Sequence, residues 1–538
     1  MPASGDAAEQ PSGAARWRLA VTPYALGVGG ITAALAAFLL TRLTAWPPNE
    51  DETLVFFVSR QPVGELLHTV AGERGGAPLH FLLAHVVLSV WDSLSALRLL
   101  SAVPVILSLP VVAAVVARLA GRRAALLASL LVAAGWTTLF HGIYARMYGL
   151  FLLLTALTFL LLLRALERGT WLRWTLWGLA MLAAIATQPY GALVLASQGL
   201  YVLYLRARTP RALLVPAAAF GLVCLAAIPL WTTYTHLASR FDVGAGYGSA
   251  FSPGDLTDYL WTTLGDFFAG WTAAEVPIAL AALAGLVLLA RARRDAAVLS
   301  ALVVLVPTAA LLVTRSGTSL FHETRHLIFV LPFVAMTLAV AILSAARLAG
   351  AYGPAVLALA TATLVSIELA WGFARTPWLY TGEPAVRTQA RDAAARWLAE
   401  TGRPDDVLLG YEPTWLDAWK AGAPYGERFV PRADPALQLE TLREPGTPLG
   451  RGVWVLDASD EFYPYKVRLS IPRETPGPGF EARTFGPFLV VRTTEPTRTP
   501  ARFLEQSVQV QKLGRRLGIG DSIINLDTAE EALRRAQG

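Results

Sequence analysis

The chain holds a single cysteine, Cys224, and places it inside an apolar run. One thiol excludes an intrachain disulfide and a thiolate metal site. Charge is scarce as well. Asp, Glu, Lys and Arg make up 16% of the 538 residues and hydrophobic residues 54%, a balance rare in soluble globular proteins. The net charge of +6 does not point to nucleic acid, because the basic residues sit in short clusters between apolar runs, as membrane topology requires. Beyond residue 376 there is no GxGxxG, no Walker loop and no metal-ligand cluster. A cleavable leader pattern is missing too: residues 1–15 are polar and small, and the apolar run after them is long enough to remain as a span. No internal repeat is visible.

What is present is a series of apolar runs near spanning length, from Val21 to about Trp371, followed by ordinary composition. The chain therefore reads as a polytopic α-helical membrane protein of about eleven transmembrane helices, set in the plasma membrane, with a C-terminal soluble α/β domain. Arginines at 16–18 put a short N-terminal tail (1–18) inside, and the clusters at 118–123, 164–169, 206–211, 291–295 and 345–350 read as cytoplasmic turns. Residues 46–96, 140–149, 187–191, 232–275 and 314–326 then face outside, as does everything after the membrane domain (19–375). All seven histidines fall in or beside these outer segments. The stretch 77–91, which carries His80 and His85, is apolar but short, and reads as a helix lying at the interface. In the tail (376–538), 385–402 and 499–518 read as helices, and 406–411, 452–459 and 485–493 as strands of a mixed sheet.

The chemistry-bearing residues gather on the outer side. Glu50, Asp51 and Glu52 follow the first span directly. Three carboxylates there suit a helix N-terminus beginning at Asn49, where the dipole favours negative charge. They also suit a general base at the interface, whose pKa burial and mutual repulsion would raise. Arg98, Arg146 and Arg325 stand at outer span ends, where positive-inside statistics disfavour cations, so each calls for an anionic partner. A guanidinium fork donates two hydrogen bonds to a phosphate at once, so a lipid phosphate on the face bearing Asp51 and Glu52 is the specific expectation. His322 and His326 stand at i and i+4, which invites a zinc reading, but Arg325 places a cation between them. A divalent metal stays open, with no ligand set assigned. Tyr144, Tyr148, Tyr190 and several tryptophans sit at span ends as interfacial anchors or sugar-stacking rings.

At these residues the sequence resembles the polytopic GT-C glycosyltransferases, specifically the bacterial family 39, or protein-mannosyltransferase-like, group. The similar pieces run in the family's order: DETLVFFVSRQPVGELL, GAPLHFLLAHVVLSVWDSLSALRLLSAVP, IYARMYGLFLLL and HETRHLIFVLPFVAMTLA. Together they cover about residues 20–345. The resemblance implies transfer of a sugar from a polyprenyl-phosphate donor to an acceptor hydroxyl on a lipid, glycan or protein at the outer face. It implies Asp51 as base, Glu52 as its partner, and Arg146 and Arg325, joined by Arg98, as donor-phosphate binders. Tyr148, Tyr190, His80, His322 and His326 are the candidate substrate-binding residues. The chain departs from the family at Gly76-Ala77-Pro78 (usually His-Pro-Pro), at Tyr144 (usually an acid), at His326 (usually Tyr) and at Pro189 (usually His). A transporter or lipid flippase is the rival class. It would carry charged or broken helices at mid-bilayer, whereas the charges here collect at one face.

Overall fold

Pro23 to Arg42 form the first helix, α1, whose start is capped by the Thr22 hydroxyl accepting from the Ala25 amide. The computed structural model describes residues 22–72, 78–240, 253–313, 324–425, 428–432, 434–444, 448–458, 468–519 and 521–538. The expected cytoplasmic tail and His322 lie outside these residues.

After α1 come three short helices, α2 (Glu50–Arg60), α3 (Val63–Gly72) and α4 (Pro78–Val90). At 13 residues and 1.5 Å of rise each, α4 falls short of a hydrocarbon core about 30 Å thick, in keeping with an interfacial helix. The bundle continues with α5 (Leu94–Ala120), the bent pair α6 (Arg122–Ala134) and α7 (Trp136–Ile143), α8 (Tyr148–Arg168), α9 (Trp171–Thr187) and α10 (Gly191–Arg206). It then runs through the bent pair α11 (Leu214–Ala226) and α12 (Ile228–Arg240), α13 (Pro253–Phe267), α14 (Thr272–Ala292), α15 (Arg294–Val313), α16 (Leu331–Leu348) and α17 (Gly353–Arg375). Among the described residues six helices are long and apolar enough to cross a membrane, or eight when each bent pair is one span. Alongside them pack α9, α10 and α15, of 17, 16 and 20 residues. The about eleven spans read from the sequence exceed the six to eight found among the described residues. The protein is an integral membrane protein.

The two ends of the bundle differ in chemistry. α5, α8 and α10 start beside Arg98, Tyr148 and Tyr190 and finish at Arg118, Arg168 and Arg206. At the finishing end arginines cap helix carbonyls: Arg293 on Arg118 O (2.8 Å), Arg206 on Leu166 O (3.2 Å) and Arg173 on Arg164 O (2.7 Å). Cations there complement the negative ends of the helix dipoles. The basic clusters read as cytoplasmic turns thus meet at one end, and the candidate site residues meet at the other.

Beyond α17 lie α18 (Pro377–Thr381), α19 (Ala385–Thr401), β1 (Val407–Leu409), α20 (Pro413–Lys420), β2 (Phe429–Val430), α21 (Pro435–Arg443), β3 (Gly452–Asp457), β4 (Phe480–Phe485), β5 (Phe488–Thr493), α22 (Pro500–Arg516) and α23 (Asp521–Gln537). The strands form one mixed sheet in the order β2-β1-β3-β5-β4, with β2, β1 and β3 parallel and β3, β5 and β4 antiparallel. Strand periodicity sorts its two faces. Val453, Val455 and Val490 join a core continuous with the bundle, while Trp454, Leu456 and Val491 join a second core with Phe503 and Leu504 of α22. The stretch 485–493, expected as one strand, is the end of β4, a turn at Gly486-Pro487, and β5. Proline has no amide hydrogen for the ladder, so the chain reverses there.

Candidate active site

Asn49 caps α2. Its side chain accepts from the Asp51 amide (2.8 Å), and the Glu52 carboxylate reaches back to the Asn49 amide (3.2 Å), a capping box. Glu50, Asp51 and Glu52 therefore occupy the first turn, and at 100° per residue their side chains leave the axis in three directions. Each meets a different cation.

Glu52 points inward and is fully buried. Arg98 grips it with Nε (2.9 Å) and Nη2 (2.6 Å). The remaining Arg98 donors go to the carbonyls of Leu43 (2.7 Å), Trp46 (2.9 Å) and Pro47 (3.1 Å), so all five N–H groups are engaged. Glu52 also accepts from the Ala145 amide at 2.9 Å. One carboxylate thus ties α2 to α5, to the 43–47 segment and to the turn that carries Arg146. The structure places Arg98 behind Asp51 with its donors used up.

The turn 144–147 joins α7 to α8. Its far side is held by Ser101 of α5, whose hydroxyl donates to the Arg146 carbonyl at 2.9 Å. Close approach of α5 and α8 depends on Gly149, where a Cβ would lie 2.5 Å from the Ser101 carbonyl oxygen. Arg325 comes from the other direction, on the 3-10 turn Thr324–Leu327, whose Thr324 hydroxyl donates to Asp266 of α13.

These turns converge on Asp51. Its Oδ2 accepts from the Tyr144 hydroxyl at 2.7 Å and lies 3.7 Å from Arg146 Nε and 3.7 Å from Arg325 Nη1. The three charged side chains are 33%, 14% and 25% exposed, so the cluster is open on one side. At 3.7 Å the arginine contacts are ion pairs longer than a hydrogen bond. Two guanidiniums thus face the Asp51 carboxylate. Burial, then the Asp51 charge, keeps Tyr144 protonated by pushing its pKa well up. Burial opposes the charge of Arg146, but Asp51, Tyr148 and Tyr144 more than offset that and its pKa rises.

Aromatic rings extend the cluster. Arg325 stands over the Tyr148 ring (5.4 Å), Tyr148 meets His326 (5.6 Å), and His326 stacks on Tyr190 (4.7 Å, 15° between planes). Gln188 fixes the His326 ring through Nδ1 at 2.7 Å. His80 is buried beside this turn, and burial together with the nearby Arg146 lowers its pKa to about 3, so it stays neutral. Asp51, Arg146, Arg325, Tyr148, His326 and Tyr190 are thus brought together, with His80 behind them. Sequence reasoning read Asn49 as the start of α2 and Tyr144 as an anchor or stacking ring, and missed the bond between Tyr144 and Asp51 and the role of Gln188. The available signal for Tyr144 was its position, where the resembled family carries an acid. No described group of three or more His, Cys, Asp or Glu has the arrangement of a metal site. A cavity of about 340 Å³ opens nearby, lined by Trp46, Ser95, Arg98, Glu383 and Arg391, but Asp51 does not line it.

No family model and no curated protein sequence matches the chain. The architecture does match solved structures. It is similar to ArnT from Cupriavidus metallidurans bound to undecaprenyl phosphate, over 88% of this chain and 98% of that one, at 15% identity and a TM-score of 0.50. It is also similar to the apo oligosaccharyltransferase of Archaeoglobus fulgidus, over 79% of this chain and 69% of that one, at 10% identity and a TM-score of 0.50. The likeness is one of fold. Here the C-terminal sheet packs against α2, the helix that carries Asp51, through Phe57 and Phe429 at 4.6 Å between ring centres.

Proposed function

We propose that the protein is a membrane glycosyltransferase that takes a sugar from a polyprenyl-phosphate donor and passes it to an acceptor hydroxyl. The observation that carries this reading is the meeting of Asp51 with Arg146 and Arg325 at the open end of a GT-C bundle. Two guanidiniums beside a carboxylate fit a phosphate leaving group next to a base. A donor anchored by its polyprenyl tail stays at the membrane boundary, where this cluster sits. The fold's likeness to a protein solved with undecaprenyl phosphate supports the donor class.

The residues divide the work as follows. Donor phosphate draws Arg146 and Arg325 into charge-assisted hydrogen bonds and relieves Asp51 of their charge. The acceptor oxygen attacks C1 from the face opposite the phosphate and gives its proton to Asp51. The C1–O bond breaks with its electron pair going to the phosphate, where the two guanidiniums stabilise the added charge. Attack and departure on opposite faces invert C1. Tyr144 orients the Asp51 carboxylate through its hydroxyl. Tyr148, His326 and Tyr190 offer ring faces and edges to the sugar. Glu52 and Arg98 act one layer back, fixing Asp51 and the Arg146 turn relative to each other. We assign the reacting end to the extracytoplasmic side, because the arginine-rich end carries the positive-inside signature.

Incubation of the purified protein with a panel of labelled polyprenyl-phosphate sugars tests the reading. Transfer from at least one donor is expected, and Asp51→Asn is expected to lower it about 10²–10⁴-fold with normal membrane insertion. Unchanged transfer by Asp51→Asn removes the base.

A further inference from the structure

The acid on the third side of the α2 turn, Glu50, faces neither the bundle nor the cluster. It accepts from the Tyr411 amide (2.9 Å) and from Arg432 Nη1 (3.0 Å), partners 361 and 382 residues away in the C-terminal layer. Arg432 is itself held by Glu412. The contact is built for closeness. Gly410 has φ +71°, and a Cβ there would fall 2.4 Å from Arg432 Nε and 2.7 Å from Glu50 Oε1. A side chain at 410 would be strained in backbone and would part the pair. Further along the helix, Trp419 of α20 meets Phe56 (5.8 Å) and Phe57 (6.3 Å), and Arg60 lies over the Trp419 ring at 4.4 Å.

We infer that Arg432 is a positioning residue for Asp51, acting across the seam through Glu50. This rests on the reading of Asp51 as base. Glu50 and Glu52 are two residues apart, about 200° around the helix, and Asp51 lies between them. Arg98 holds Glu52 from the bundle, and Arg432 holds Glu50 from the C-terminal layer. One grip leaves the first turn free to roll about its axis, and two grips on different sides stop the roll. The side chain so fixed is Asp51. Misplacement of a reacting group by about 1 Å lowers a rate on the order of 10²-fold, so a modest roll is enough to matter. The C-terminal layer is, on this view, a part of the catalytic frame and more than a cover.

The test uses the full-length protein in nanodiscs with the donor found active in the panel. It compares wild type, Arg432→Ala, Arg432→Lys and Glu50→Gln. Two quantities are read: transfer kinetics, and hydrogen exchange of the amides in 50–60. Arg432→Ala is expected to lower kcat about 10–100-fold with the donor KM within about twofold, and to speed exchange in the first turn of α2. Arg432→Lys should recover part of the lost kcat. Wild-type kcat and wild-type exchange in both Arg432→Ala and Glu50→Gln overturn the inference. So does a loss of kcat that Arg432→Lys does not recover. Failure of the base reading shows elsewhere, as Asp51→Asn retaining transfer, so the two failures are told apart.

Discussion

At the scale of single residues, the pair Glu52–Arg98 decides more than any residue that would touch substrate. Both groups are buried, and each satisfies the other. Removing one partner strands the other charge. Glu52→Gln should therefore destabilise the protein by about 3–5 kcal/mol, read as a lowered thermal midpoint, while the apolar pair Glu52→Leu with Arg98→Met should recover much of it. Equal stability of Glu52→Gln and wild type would mean the pair does not organise the turn. Tyr144 gives a second, subtler prediction. Its hydroxyl donates to the Asp51 carboxylate and orients it. In Tyr144→Phe kcat should fall about 10-fold with the donor KM little changed, and an unchanged kcat would detach Tyr144 from the base. Of this site the sequence made Asp51, Arg146 and Arg325 legible, because lone charges at span ends need partners. The charge run alone could not separate the three adjacent acids; only the family resemblance singled out Asp51. Their different partners depend on a helical turn and on chain segments hundreds of residues away, neither of which a charge run reveals.

At the scale of elements, α2 is the piece that both parts of the molecule share. Its start at Asn49 was readable from the acidic run at a helix N-terminus, and the shortness of α4 from its short apolar stretch. The short strands of the C-terminal layer were less readable. β2 has two residues, and β4 interleaves Phe480 and Ala482 with Glu481 and Arg483, so neither shows the continuous apolar run that marks β3 and β5. The turn from β1 into α20 holds Glu412, whose pKa burial raises to about 7 despite Arg432, with Glu50 and Asp457 adding to the rise. Between the ordinary carboxylate range and that value the folded state holds a proton that the unfolded state has lost. Stability should therefore fall as pH rises from about 4.5 to about 7 and level off above. Glu412→Gln should flatten this fall in thermal midpoints taken across that window. A slope identical to wild type would count against Glu412 as its source.

At the scale of the whole molecule, the bundle is polarised. Arginines close one end against helix carbonyls, and the other end gathers Asp51, Arg146, Arg325 and their aromatic neighbours under a mixed sheet. The series of long apolar helices and the layer behind α17 could be read from apolar runs and basic clusters, because hydrocarbon thickness and the positive-inside bias act on sequence directly. The grip of the C-terminal layer on Glu50 could not, since it rests on long-range contacts. The central claim is that Arg146 and Arg325 jointly receive the phosphate of a polyprenyl lipid beside Asp51. Titration of undecaprenyl phosphate into the purified protein tests it most directly. Loss of one charged hydrogen-bond partner is worth about 1.5–3 kcal/mol, so the double variant Arg146→Ala with Arg325→Ala should bind at least about 100-fold more weakly than wild type. Equal binding by the double variant and the wild type would contradict the account.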